Sequence, residues 1–162
     1  MKAMGLRNLI FVILAVLLFA KQGPSQEKGP LKPGPKDKCP VCGMFVAKYP
    51  DWTAQVLFKD GSSVFFDGAK DLFNYYLDLK RYEPKRQGSD IQAIYVTEYY
   101  SLEPIEAQRA FFVTGSDVYG PMGKELIPLA RESDAKQFMK DHGGKRLLRF
   151  DEVTAKLLKE LD

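Results

Sequence analysis

The chain has 162 residues, 45% hydrophobic and 28% charged, enough for one medium domain or two small ones sharing a core, and this composition excludes a disordered chain or a fibre. There are 24 Lys and Arg against 21 Asp and Glu; with Lys2 and Arg7 set aside as parts of a leader the balance is 22 to 21, which gives no electrostatic basis for a nucleic-acid partner. Two Cys and one His exclude a disulfide-rich scaffold, and also a closed four-ligand zinc site built from those residues alone.

Residues 1–20 have the layout of an export signal: Lys2 and Arg7, then an apolar run of 12 residues from Leu9 to Ala20. That run is shorter than the ~20 residues that span a bilayer, so the segment reads as a signal peptide or N-terminal anchor. It places the remainder outside the cytoplasm, in the periplasm or on the extracytoplasmic face of the membrane. No Cys sits at the end of the run, so a lipid anchor at that point is not expected. Residues 21–38 are rich in Lys, Gly and Pro, with Pro24, Pro30, Pro33 and Pro35, and are expected to be a flexible tether outside the fold.

From Cys39 onward one pattern occurs twice. Residues 52–58 and 62–66 read as strands joined by Lys59-Asp60-Gly61, and Asp-Gly between apolar runs signals a hairpin. A helix follows, with Asp67 as N-cap and Ala69, Leu72, Phe73, Tyr76 and Leu77 at the spacing of one buried face. A polar loop at 83–90 leads to a strand at 91–97. In the second pass, 109–113 and 125–130 read as strands, 133–142 as a capped helix with Ala135, Phe138, Met139 and His142 on one face, and 145–150 as the closing strand. Asp151 is expected to cap a last helix carrying Leu157, Leu158 and Leu161, with Val153 beside them. The expected fold class is α+β: two related, tightly joined β-β-α-β units with small antiparallel or mixed sheets, the first at 39–98 and the second at 99–162.

The chemistry is concentrated in Cys39-Pro40-Val41-Cys42-Gly43-Met44. Two thiols at this spacing can bind a metal, cycle as a dithiol, or close a disulfide in an oxidising compartment. A thioredoxin-type site needs its pair at a helix N-terminus after a strand, whereas here a Pro-rich segment precedes it. Met44 favours metal, and one metal in particular, because a thioether competes poorly for zinc or calcium but well for Cu(I). Gly43, without a Cβ, lets the backbone curl so that both sulfurs reach one ion. Met122, bracketed by Gly and Pro in Gly120-Pro121-Met122-Gly123, is a candidate third sulfur. His142 precedes Gly143-Gly144 and reads first as a helix-terminal His favoured by the dipole, with metal ligation as its other role. Asp67, Asp71 and Asp78 read as caps and solvated faces. No carboxylate pair, nucleophile-base set or phosphate loop stands out, so there is no positive case for an enzyme.

Cys39-Pro40-Val41-Cys42-Gly43-Met44, then Trp52-Thr53-Ala54-Gln55, the run Phe112-Val113-Thr114-Gly115-Ser116-Asp117-Val118-Tyr119-Gly120-Pro121-Met122-Gly123, Asp134-Ala135, Phe138, Gly143-Gly144 and Phe150-Asp151-Glu152 together resemble the NosL family over roughly residues 38–155. The resemblance implies an exported accessory protein that delivers copper to nitrous-oxide reductase, a fold of two β-β-α-β units, and Cu(I) held by Cys42 and Met44 with the Met122 loop nearby. Two departures stand out. Many members carry a lipid-modified Cys at the signal cleavage site, absent here, and many carry His after Gly-Pro-Met-Gly where this chain has Lys124, a cation that cannot replace an imidazole ligand at neutral pH.

The expected mechanism is a low-coordinate Cu(I) site of Cys42 and Met44, completed by Cys39 or Met122, which passes its ion to a client enzyme by ligand exchange. A monomer is expected. Competing readings are a metal-free module with a Cys39–Cys42 disulfide, a thiol-disulfide oxidoreductase, and a zinc site from Cys39, Cys42, His142 and one carboxylate.

Overall fold

The computed structural model describes residues 29–162. The expected leader at 1–20 and the first part of the tether, 21–28, lie outside the described residues. Among those described, no helix is long and apolar enough to cross a membrane.

The first sheet is built on β1 (Ala54–Phe58), whose five residues are all buried. It pairs with β2 (Ser63–Phe66) on one side and β3 (Ile91–Thr97) on the other. Gly61, at φ +83, makes the turn between β1 and β2, a conformation that costs glycine little and other residues more. The polar member of β1, Gln55, is only 2% exposed and is satisfied on both ends of its amide. Its Oε1 accepts the Leu31 N–H at 2.9 Å and its Nε2 donates to Ser63 Oγ at 2.8 Å. Within the expected tether, Leu31 therefore contacts the fold. It touches the sheet at Gln55, because a buried amide needs partners and this segment supplies one.

Helix α1 (Ala69–Leu77) follows β2, and α2 (Leu79–Tyr82) adds one more turn. Gly68, not Asp67, occupies the N-cap position. The buried face also differs from expectation: Tyr75 is fully buried while Leu77 is 42% exposed. The physical reason is that α1 is enclosed on more than one side, by the first sheet and by the last helix, so a single 3.6-residue stripe underestimates it. A short strand not foreseen in the sequence, β4 (Pro104–Glu106), pairs with β3 and completes the order β2-β1-β3-β4.

The second sheet repeats the topology. Its central strand β5 (Phe111–Thr114) lies between β8 (Ile127–Leu129) and β9 (Arg146–Arg149), the order β8-β5-β9 matching β2-β1-β3. Helix α3 (Glu132–Asp141) connects β8 to β9. The observed strands are shorter than expected. Residues Ala107–Arg109 form a 3-10 turn before β5, and Glu125 turns away from β8 to reach α1. Between β5 and β8, the expected loop is a small hairpin of β6 (Tyr119–Gly120) and β7 (Gly123–Lys124). Every pairing among the described strands is antiparallel, so the fold is mixed helix with small antiparallel sheets. The last helix, α4 (Ala155–Leu161), is capped by Thr154, whose Oγ1 accepts the Leu157 N–H at 3.3 Å. Asp151, the expected cap, lies in a preceding 3-10 turn instead.

The main core draws on both units. Phe73 of α1 meets Phe112 of β5 edge-on at 5.1 Å and Phe150 at 4.9 Å between ring centroids. Leu157, Leu158 and Leu161 of α4 close the same cluster. A smaller cluster of Val113, Ile127, Leu129, Ala135 and Phe138 fills the space between the second sheet and α3.

Candidate metal centre

Residues 38–45 form a closed knuckle. An isolated bridge pairs Lys38 with Phe45, the Cys39 N–H donates to the Met44 carbonyl at 2.9 Å, and the Gly43 N–H donates to the Cys39 carbonyl at 2.9 Å. Gly43 sits at φ +80, the left-handed conformation that lets the chain turn back on itself after Cys42. The knuckle holds Cys39 at 1% exposure beneath it and leaves Cys42 and Met44 half-buried. Both cysteines are free thiols.

Opposite the knuckle is the start of α1. Asp67 leaves β2 and Asp71 lies in the first helical turn, and both are buried, at 1% and 5% exposure. The reading of these two as caps and solvated faces is therefore corrected; Asp78 alone of the three is exposed. The Cys39 thiol donates to Asp71 Oδ2 at 3.2 Å, and the Cys42 thiol donates to Asp67 Oδ1 at 3.1 Å. One ligand atom from each of Cys39, Cys42, Asp67 and Asp71 lies within 4.8 Å of all the others. Asp67 Oδ2 is buried and has no hydrogen-bond partner among the described residues, which leaves a lone pair available to a cation.

Burial dominates the electrostatics. It pushes the Cys39 thiol far above the usual range, and the Cys42 thiol up to about 12. Burial also raises the Asp71 carboxyl, with the neighbouring Asp67 charge adding to the rise and hydrogen bonds from Cys42 and Cys39 opposing it. At neutral pH both thiols are thus protonated and donate to the carboxylates. A dithiol nucleophile needs the opposite arrangement, a thiolate favoured near neutrality.

The remaining expected donors fall in different places. The Met122 turn is drawn to the start of α1, where Lys70 Nζ donates to the Met122 carbonyl at 3.1 Å, and Met122 itself is 44% exposed. His142 is placed elsewhere, at the C-cap of α3, with Nδ1 3.0 Å from Asp117 Oδ1 and its ring stacked on Phe138 at 4.5 Å. The structure gathers the two thiols with Asp67 and Asp71, and does not include His142 in that group. Sequence reasoning missed the two carboxylates. Their one local signal is spacing: they stand one helical turn apart across a helix start, which puts two side chains on one side.

A family model described as NosL matches residues 30–158. The copper-binding lipoprotein NosL of Stutzerimonas stutzeri is 32% identical over 165 residues, covering 96% of this chain and 84% of that protein. The crystal structure of the copper chaperone NosL from Shewanella denitrificans superposes with a TM-score of 0.67 at 28% identity, covering 80% of this chain and 98% of that one. This chain belongs to the NosL family.

Proposed function

We propose that the protein carries Cu(I) outside the cytoplasm and hands it to a client cuproenzyme, with nitrous-oxide reductase the client implied by the family. The observation that supports this most directly is the meeting of Cys39 and Cys42 with two buried carboxylates within 4.8 Å, in a chain whose relatives are named for copper binding and copper delivery.

Thiolate and thioether sulfurs are the preferred set for Cu(I). In this reading Cys39 and Cys42 supply the thiolates, with Met44 and the Met122 turn supplying thioethers. The carboxylates manage protons. Asp71 Oδ2 and Asp67 Oδ1 already accept the two S–H groups, so each is positioned to relay to solvent the proton that must leave when its thiol becomes a ligand. The half-buried Cys42 keeps one side of the ion reachable, and a client ligand can attack there so that copper passes without being released to water. Thiols held protonated in the metal-free state also resist oxidation, which begins from the thiolate.

The gathering of two oxygen donors with two thiols supports a second reading, a borderline divalent ion such as Zn(II) in a Cys2Asp2 site. The deciding experiment is an anaerobic Cu(I) titration of the reduced protein against a chromophoric chelator, alongside Cys42→Ser and Met44→Ala. Tight binding that is lost in Cys42→Ser and weakened in Met44→Ala supports the copper reading. No competition for Cu(I), together with tetrahedral ligand-field bands on Co(II) addition, would replace it with the divalent one.

A further inference from the structure

Glu125 is not among the gathered donors, yet it is 3% exposed and reaches across the molecule. Its Oε1 accepts the Lys70 N–H at 2.5 Å, 55 residues away in sequence, and the Leu126 N–H at 2.8 Å. Its Oε2 lies over two glycines: a Cβ on Gly68 would stand 2.2 Å from it, and one on Gly120 would stand 3.1 Å away. Gly68 has extended backbone at φ −177, so glycine is needed there for room and not for conformational freedom.

A second tie runs beside the first. The Lys70 side chain, 5% exposed, pairs with Asp162 at 3.4 Å and donates to the Met122 carbonyl at 3.1 Å. Lys70 is therefore held by its backbone to Glu125 and by its side chain to the Met122 turn. It stands immediately before Asp71 and three residues after Asp67. An ordinary helix start is capped by a local Ser, Thr or Asp at little cost. Here the N-cap residue offers no side chain, and a carboxyl from the other unit is buried to do the work, despite the desolvation that burial imposes.

We infer that Glu125 and Lys70 are positioning residues that lock the Met122 turn of the second unit against the Asp67–Asp71 end of α1, so that the metal centre is assembled from both units. The inference rests on the reading of Met122 as a sulfur donor under the proposed function, and its test separates the two.

The test measures Cu(I) affinity of the intact chain by chelator competition, and counts sulfur neighbours by copper X-ray absorption. The variants are Lys70→Leu, Glu125→Ala, Glu125→Gln, Met122→Ala and the double variant Lys70→Leu with Met122→Ala. Lys70→Leu and Glu125→Ala are expected to weaken binding by about tenfold or more, as loss of groups that orient metal ligands does, and to lose one sulfur neighbour. Glu125→Gln keeps an acceptor oxygen and is expected to restore both. The double variant should be no weaker than Met122→Ala alone, because both changes act through one sulfur. Loss of affinity in Lys70→Leu cannot be electrostatic, since removing a cation would favour an incoming ion. If Glu125→Ala fails to fold, Lys70→Leu carries the test. Weakened binding in Met122→Ala with unchanged affinity and sulfur count in a folded Lys70→Leu overturns the positioning role alone. No effect of Met122→Ala overturns the donor reading and the positioning role with it.

Discussion

The proton inventory of the thiol pair sets a quantitative expectation for copper binding. Cys39 and Cys42 are both raised by burial, Cys42 to about 12, and each donates its S–H to a carboxylate oxygen, at 3.2 and 3.1 Å. Near neutrality the metal-free centre therefore holds two thiol protons, and two thiolate ligands require both to leave. Affinity should rise with pH by about tenfold for each proton released, or about a hundredfold per unit, equivalent to about 2.7 kcal/mol. The sign follows from mass action: protons compete with copper, so acid weakens binding. Cys39→Ser should halve the slope on a logarithmic scale, because one titrating ligand, Cys42, remains. The assay is chelator competition at pH 6, 7 and 8, with the chelator's own pH dependence calibrated separately. A slope of one decade per unit in the parent protein would remove Cys39 from the donor set, and a flat profile would refute thiolate ligation altogether.

Other outcomes follow from the packing and from Glu125. Burial raises the Glu125 carboxyl from 4.5 to about 8, so the folded state holds a proton that the unfolded state releases between those values. Its contribution to stability is present below pH ~4.5 and is lost as pH rises toward about 8, at up to ~1.4 kcal/mol per unit. Urea titrations at pH 5 and pH 8 should show this decline, and Glu125→Gln should flatten it. Phe112→Ala should destabilise the fold by about 3–5 kcal/mol, since the ring is fully buried between the units; equilibrium denaturation measures it, and a loss below about 1 kcal/mol would contradict a shared core. A Cβ on Gly144 would stand 2.5 Å from Val113 Cγ1 and 3.1 Å from the Met139 backbone. Gly144→Ala should therefore lower stability by about 1–3 kcal/mol, read as a shift in melting temperature, while Gly29→Ala, with open space around it, should not.

How much of this was legible beforehand depends on how far each determinant reaches along the chain. The β1–β2 hairpin turns on Asp60-Gly61, and the knuckle on the spacing of Cys39, Cys42 and Gly43; both are decided within a few residues, so the sequence displays them. The repetition of strand, strand, helix and strand is likewise carried by local periodicity, and the matched orders β2-β1-β3 and β8-β5-β9 agree with it. Strand β4 was hidden because Pro104-Ile105-Glu106 is three residues long and opens on proline, too short for its alternation to signal a strand. The role of Tyr75 was hidden because a helix enclosed on several sides no longer obeys a one-face stripe.

The metal centre divides along the same line. The type and spacing of the two thiols, the glycine between Cys42 and Met44, and the turn around Met122 are properties of short segments, and these are what raise the expectation of a soft-metal site. What faces the thiols is not local. Asp67 and Asp71 are 25 and 32 residues from the cysteines they meet, and an aspartate at a helix start looks the same whether it caps, points to solvent or is buried against a thiol. Glu125 spans 55 residues to α1. Burial and charge environment come from surfaces brought together by packing, so the sequence alone pointed to the sulfur atoms as candidate ligands, and the tertiary structure decided which carboxyl oxygens accept their S–H groups and how deeply the thiols are held from water.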